Sequence, residues 1–394
     1  MAGQAWEAIL EGVLPEDGCT GVLVARVWRP EAAGPSVVAI REDGVHDISA
    51  AAATTATLTN AADPVAIARG TAGEKISTWR EIAANSVAGI NDPSKPHFLA
   101  PADLQAVRAC GVTFVRSLLE RVIDERTDGD PTRAEAIRGE LQAEIGVDLS
   151  EVVPGSDEAA KVKTALVEAG MWSQYLEVGI GPDVEVFTKA QPMSAVGFGA
   201  EIGIHPDSVW NNPEPEVALV INAKGGIVGA TLGNDVNLRD VEGRSALLLG
   251  RAKDNNASAA LGPFIRLVDE TFTLDDIRSA EVALAVEGTD GFRLEDGSAM
   301  TEISRDIEDI AGQTLNADHQ YPDGLVLYTG TMFTPNQDRD GPGQGFTHRV
   351  GDVVTIASPK LGTLANTVNH SRAIVPWTFG AAALMANLAK RGLL

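Results

Sequence analysis

Three carboxylates and one amine fall within the span 214–253: Glu214 and Glu216 in Pro213-Glu214-Pro215-Glu216, Asp235 in Gly233-Asn234-Asp235-Val236, and Lys253. Glu214 and Glu216 stand two apart at the start of a β-rich run, Val217 to Asn222, and a strand of period two projects both side chains from one face. Ala223-Lys224-Gly225-Gly226 then separates that run from a second, Ile227 to Leu232, as a hairpin connection does, and Asp235 comes back beside the glutamates. A convergent set of carboxylates without histidine or cysteine suits magnesium, or manganese, over zinc. A lysine next to such a cation is a candidate proton carrier.

A Glu-Pro-Glu triplet by itself is common in exposed loops. The argument rests on coincidence: a strand start carries the triplet, an Asn-Asp pair ends the adjoining strand, and a lysine follows. Around this hairpin the second half of the chain reads as mainly β, with short runs at Val184 to Phe187, Val282 to Val286, Leu325 to Thr329 and Val353 to Ile356. The first 96 residues mix strand-like runs, Val22 to Val27 and Val37 to Ile40, with an Ala/Thr-rich stretch, and read as a small α/β domain. Asn91-Asp92-Pro93-Ser94-Lys95-Pro96 has turn chemistry, so the boundary is drawn there, with residues 97–394 as the catalytic domain. Three helices are expected between. The first opens at Pro101 and carries Leu104, Val107, Val112, Val115, Leu118, Leu119 and Val122 at three-and-four spacing, with Arg116, Glu120 and Asp124 on another face. The second spans Pro131 to Ile145, and the third begins at Ser156 as N-cap and closes at Gly170.

The chain has 394 residues, 44% of them hydrophobic, enough for a large core. Acidic residues exceed basic ones by 55 to 31, a formal net charge of −24, which argues against a nucleic-acid partner. Two cysteines provide no disulfide framework, and Met1 to Leu14 lacks the pattern of a secretory signal, so a cytoplasmic location is expected. Ala373 to Leu388 is apolar but interrupted by Pro376, Thr378 and Asn387, too broken for the ~20 residues of a membrane span, and reads as a packed terminal helix.

Other chemistries fit less well. Asp235-Val236-Asn237-Leu238-Arg239 opens like a calcium loop but places arginine where a ligand belongs, and Asn336 to Gly341 lacks the closing glutamate, with Thr347 in its place. The six histidines show no HExxH spacing. Gly243-Arg244-Ser245 lacks the last glycine of a nucleophile elbow, and the glycines at 225, 226, 229 and 233 form no dinucleotide fingerprint.

The Pro-Glu-Pro-Glu strand, Gly-Asn-Asp-Val-Asn-Leu-Arg-Asp, Lys253 in Arg-Ala-Lys-Asp, and Leu327-Tyr328-Thr329-Gly330-Thr331 resemble the fumarylacetoacetate hydrolase superfamily over roughly His97 to Asn366. Gly111-Val112-Thr113-Phe114, Glu185-Val186-Phe187-Thr188-Lys189 and Trp210-Asn211-Asn212-Pro213-Glu214 make it most similar to the 2-keto-3-deoxypentonate dehydratase branch, which forms α-ketoglutaric semialdehyde. The resemblance implies an α+β fold: a β-rich mixed sandwich roll with a small N-terminal domain, assembled as a homodimer or homotetramer. It implies that Glu214, Glu216 and Asp235 hold Mg2+, that Lys253 and Glu185 are catalytic, that Thr331 and Lys189 bind substrate, and that the partner is a small 2-keto acid. The superfamily's C–C bond hydrolases carry a histidine on a short lid. Here the matching stretch, Trp172-Ser173-Gln174-Tyr175-Leu176-Glu177, has none, which favours elimination over an acylpyruvate hydrolase or oxaloacetate decarboxylase activity.

A metal-chelated 2-keto acid has an acidified C3 proton. Lys253 is the first candidate for the base, its pKa lowered by the cation and by burial, and Glu185 for the acid, kept protonated on an apolar strand, with the reverse assignment as the alternative.

Overall fold

The computed structural model describes residues 2–137, 152–168, 170 and 172–394. Eighteen strands run in chain order among them: β1 Leu23–Arg29, β2 Gly34–Arg41, β3 Gly44–Asp47, β4 Glu74–Ser77, β5 His97–Leu99, β6 Ala106–Gly111, β7 Glu185–Ala190, β8 Glu201–Ile204 and β9 Asn211–Asn212. They continue as β10 Pro215–Ile221, β11 Ile227–Asp235, β12 Asn237–Leu238, β13 Ala259–Leu267, β14 Glu281–Glu287, β15 Arg293–Ala299, β16 Leu325–Tyr328, β17 Val353–Ser358 and β18 Gly362–His370. One large sheet has the order β4-β3-β2-β1-β13-β11-β10-β16-β6-β7, with β5 also on β1. A second has the order β15-β14-β17-β18-β8, and β9 and β12 form a short ribbon.

The expected hairpin is present. β10 and β11 pair antiparallel, and Asn222 accepts from Gly225 while its own N–H donates to Gly226 O, closing the turn with Gly225 at φ +85°. Every residue of β10 is buried. Its odd-numbered members Val217, Leu219 and Ile221 pack into the core that also holds Val282, Leu284, Val286, Ile356 and Leu364 of the second sheet. Ala218 and Val220 face the opposite side, with Leu261, Ile265 and Val326. The large sheet is thus covered on both faces at its centre, and period two sorts one apolar run into two cores. Each fully buried aliphatic side chain there contributes roughly 1.5–3 kcal/mol. The result is the β-rich α+β sandwich that the sequence led us to expect.

Residues 1–96 place β1 to β4 in the large sheet itself. β1 pairs with β13 through Leu23↔Arg266 and Val24↔Ile265, and Arg266 donates to both oxygens of Asp17 at 2.9 and 2.6 Å. β5, just after the 96/97 boundary, pairs back onto β1.

Two helix expectations need correction. No helix opens at Pro101: Ala106–Gly111 is strand β6, parallel to β16, and the helix runs only from Val115 to Arg126. The three-and-four spacing is genuine, but tertiary pairing with β16 supplies the hydrogen bonds that a helix would have made. Asp103 anchors the preceding turn by accepting from the N–H groups of Thr55 and Ala56, and Val112 at φ +56° ends the strand. At the C-terminus the helix covers Ala381–Lys390 only, with Leu384 and Leu388 buried, because Pro376 and Gly380 break the stretch before it. The third helix, Asp157–Glu168, starts as expected, with Ser156 Oγ accepting from Ala159 N–H. Most of the second, residues 138–145, lies outside the described residues. Among the described residues no helix is long and apolar enough to cross a membrane.

Candidate active site

The hairpin register brings the three carboxylates together. Pro215 pairs with Asn234, Glu216 with Gly233, and Asp235 N–H donates to Glu214 O at 3.0 Å. One oxygen from each of Glu214, Glu216 and Asp235 lies within 4.8 Å of the others, and all three residues are buried. The Thr329-Gly330-Thr331 turn, at the end of β16, closes over them: Gly330 N–H donates to Glu216 Oε2 at 2.7 Å, and Thr331 Oγ1 donates to Glu214 Oε2 at 2.6 Å. Gly330 has φ +109°, and a Cβ there would sit 2.0 Å from Thr113 Oγ1, so this turn requires glycine.

Lys253 ends the helix Leu249–Lys253 and donates to Glu214 Oε2 at 2.5 Å and to Asp235 Oδ2 at 3.1 Å. Burial pulls the pKa of its ammonium down, but Asp235 and Glu214 outweigh burial and hold it above the ordinary lysine value. The sequence expectation was the reverse. The carboxylates that raise it are the same ones that a bound cation would engage. Glu214 is driven up by burial yet held at about 2 by Lys253 and Arg121, whereas burial together with Asp235 and Glu214 pushes Glu216 well above the carboxylate range.

These residues fit a hard divalent cation. Three buried carboxylates in one cluster repel one another, and Glu214 Oε1 and Asp235 Oδ1 make no hydrogen bond among the described residues, each resting in an ion pair, with Arg121 at 3.3 Å and Lys189 at 2.8 Å. The donor set is oxygen only, which selects magnesium or manganese over softer metals.

Glu185 opens β7 and lines the same cavity as Lys253, Glu214, Asp235 and Thr331, a space of ≈ 20 Å³. Burial, reinforced by the charge of Glu242, pushes its carboxyl up to about 7. Gly111 makes room for it, since a Cβ at 111 would lie 1.8 Å from Glu185 Oε2. Lys189, expected to touch substrate, is fully buried behind Asp235: its Nζ lies 2.8 Å from Asp235 Oδ1 and donates to the carbonyls of Val236 and Lys253. Its donors are occupied by the protein.

Sequence reasoning missed Arg121 and Glu242. Arg121 sits 3.3 Å from Glu214 Oε1 and donates to Glu242 Oε2 at 2.5 Å. Arg116, Glu120 and Asp124, four apart on the helix Val115–Arg126, take different partners: Arg116 pairs with Asp296, whereas Glu120 and Asp124 bind Arg239, which also stacks on Trp210 at 4.1 Å. The one available signal was Arg239-Asp240-Val241-Glu242, a charged run directly after the metal-ligand segment. Replacing Arg239 with methionine would leave Glu120 and Asp124 buried with too little positive charge, and a loss of about 3–5 kcal/mol is expected in urea unfolding. An unchanged midpoint would show that the pairs contribute no net stability.

The remaining motifs behave as local structure. Asp338 caps its own loop by accepting from Gly343 and Gly345 N–H, Ser245 caps the 3-10 turn Ala246–Leu248, and Ser173 caps the helix Gln174–Ile180. No histidine is among the described residues lining the cavity.

Residues 168–369 match the family described as fumarylacetoacetate (FAA) hydrolase C-terminal. A Haloferax volcanii protein named "Probable 2-keto-3-deoxyxylonate dehydratase" is 28% identical over 65% of this chain and 84% of its own length. The 2-dehydro-3-deoxy-D-arabinonate dehydratase of Saccharolobus solfataricus is 35% identical over 48% of this chain and 60% of its own length. A solved 2-keto-3-deoxy-D-arabinonate dehydratase, complexed with magnesium and 2,5-dioxopentanoate, shares the fold with a TM-score of 0.60 at 20% identity, over 88% of this chain and 99% of that one. With the family model covering half of its length and the fold in agreement, this chain belongs to the fumarylacetoacetate hydrolase family.

Proposed function

We propose that the protein is a magnesium-dependent dehydratase that converts a 2-keto-3-deoxypentonate to 2,5-dioxopentanoate (α-ketoglutaric semialdehyde). The observation that carries this reading is one cavity lined by Glu214 and Asp235 of the carboxylate triad, by a lysine in contact with both, and by a glutamic acid raised to about 7. The relatives named as dehydratases of such sugar acids support it.

A cation held by Glu214, Glu216 and Asp235 supplies Lewis-acid polarisation of the substrate's keto group. Lys253 takes the C3 proton, and the electron pair released at C3 forms the C3–C4 double bond as the C4–O bond breaks. Glu185 gives its proton to the departing hydroxyl, which leaves as water. Transfer of a proton from C5 to C3 then produces the enol of the C5 aldehyde, which tautomerises. Thr331 holds the Glu214 carboxylate and touches the substrate's acid group, and Lys189 acts by fixing Asp235. The site lacks the lid histidine that would activate water, which favours dehydration over C–C hydrolysis.

The same reading expects a cytoplasmic homodimer or homotetramer, with Cys19 and Cys110 free and residues 1–96 contributing β1 to β4 to the large sheet. Light scattering on the purified protein tests the assembly. The function is tested by incubating the metal-stripped enzyme with 2-keto-3-deoxypentonate with and without magnesium: aldehyde without pyruvate is expected only with the metal, and pyruvate release would sink the assignment.

Glu185 must be protonated to act as an acid. Its carboxyl titrates at about 7, so it imposes an alkaline limb on kcat, while Lys253, which must be a free amine to take the C3 proton, imposes an acid limb. In Glu185→Gln the alkaline limb should vanish and kcat should drop roughly 10²–10⁴-fold. An alkaline limb that persists in the variant would assign it to another group.

A further inference from the structure

Two charged residues that line the cavity have no part in the steps above. They are Arg121, on the helix Val115–Arg126, and Glu242, at the end of the helix Arg239–Glu242. Arg121 joins the two ends, with Nη2 3.3 Å from Glu214 Oε1 and Nη1 donating to Glu242 Oε2 at 2.5 Å. Asn237 Nδ2 donates to the same Oε2, also at 2.5 Å. Both donors to Glu242 therefore meet one oxygen, and Oε1 has none among the described residues, on a carboxylate only 5% exposed. A carboxylate oxygen without a protein donor at a cavity wall is free to accept a hydrogen bond from a ligand there. Arg121, by contrast, is occupied: it also contacts Asp124 Oδ2 at 3.1 Å and donates to Thr334 at 3.2 Å. It is a positioning residue that holds Glu242 one guanidinium away from the metal ligands.

We infer that Glu242 recognises the hydroxylated tail of the substrate, its Oε1 accepting the hydrogen bond of the terminal C5 hydroxyl while the keto-acid head lies against Glu214, Asp235 and Lys253. This rests on the dehydratase reading and supplies a reason for its substrate class. Glu185 and Glu242 line the same small cavity, and the proposal assigns them neighbouring carbons: Glu185 the C4 hydroxyl that leaves, Glu242 the C5 hydroxyl that stays. A tail ending in a hydroxyl donates to Glu242. The keto tail of an acylpyruvate brings only lone pairs, and the second carboxylate of oxaloacetate brings like charge, so the same group excludes both.

The test uses the full chain with saturating magnesium and two substrates. One is 2-keto-3-deoxypentonate. The other is its 5-deoxy analogue, which can still lose the C4 hydroxyl to give an unsaturated 2-keto acid. The native enzyme should prefer the hydroxylated substrate by ~100-fold or more in kcat/KM, since a site built to bind a hydroxyl rejects the analogue without it. Glu242→Leu should abolish most of that preference by slowing the hydroxylated substrate far more than the 5-deoxy one. Glu242→Gln, which keeps the shape, should narrow the preference and bind oxaloacetate as a competitive inhibitor about tenfold more tightly. If the leucine variant fails to fold by circular dichroism, the glutamine variant decides by both readouts. Equal losses on the two substrates with unchanged oxaloacetate inhibition would reduce Glu242 to a structural partner of Arg121 and overturn the inference. A native enzyme that binds magnesium yet converts neither substrate would fail the dehydratase reading itself, and this inference with it.

Discussion

Lys253→Ala is expected to lower kcat for semialdehyde formation by roughly 10³-fold or more, at the upper end of what a positioned proton carrier supplies, while magnesium binding persists or tightens. The two halves of this expectation come from the same contacts. Lys253 donates to Glu214 Oε2 and Asp235 Oδ2, so its ammonium competes for the oxygens that a cation would use. Removing it leaves the carboxylates freer to ligate and leaves the C3 proton without a base. Isothermal titration with magnesium beside turnover separates these effects. Loss of both metal affinity and activity would mean that the lysine is needed to hold the carboxylates in place, and its assignment as base would lose its support.

Glu214→Ala should lose metal and activity together. Glu214 accepts from Lys253 and Thr331 and lies against Arg121, so the substitution removes one of three ligands and leaves Lys253 and Arg121 facing each other across the gap. Metal affinity should fall by more than the roughly 10–100-fold that follows loss of a ligand's outer hydrogen-bond partner. Excess magnesium should not restore kcat, because the reoriented lysine no longer addresses the substrate. A variant with near-native kcat at high magnesium would show that Glu216 and Asp235 suffice and would remove Glu214 from the ligand set.

The parts of the site that were legible in the sequence are those governed by local rules. Glu214 and Glu216 share a face because a strand has period two, and Asp235 returns because a short Gly-rich turn reverses the chain. Lys253 was legible through its place in a motif. The helix expected from Pro101 failed because its apolar spacing holds equally for a strand followed by a helix, and only the partner β16, more than two hundred residues later, decides between them.

From its own residues the chain determines a β-rich fold with oxygen ligands suited to a hard cation, and lacks a lid histidine, since residue type and short-range periodicity carry that information. Tertiary structure alone decided that Lys189 turns behind Asp235, that Gly111 yields its Cβ space to Glu185, and that Arg121 bridges Glu214 to Glu242. Those relations join segments between 46 and 121 residues apart. Side-chain direction and charge pairing across such distances arise only when sheets and helices pack, so no local pattern records them.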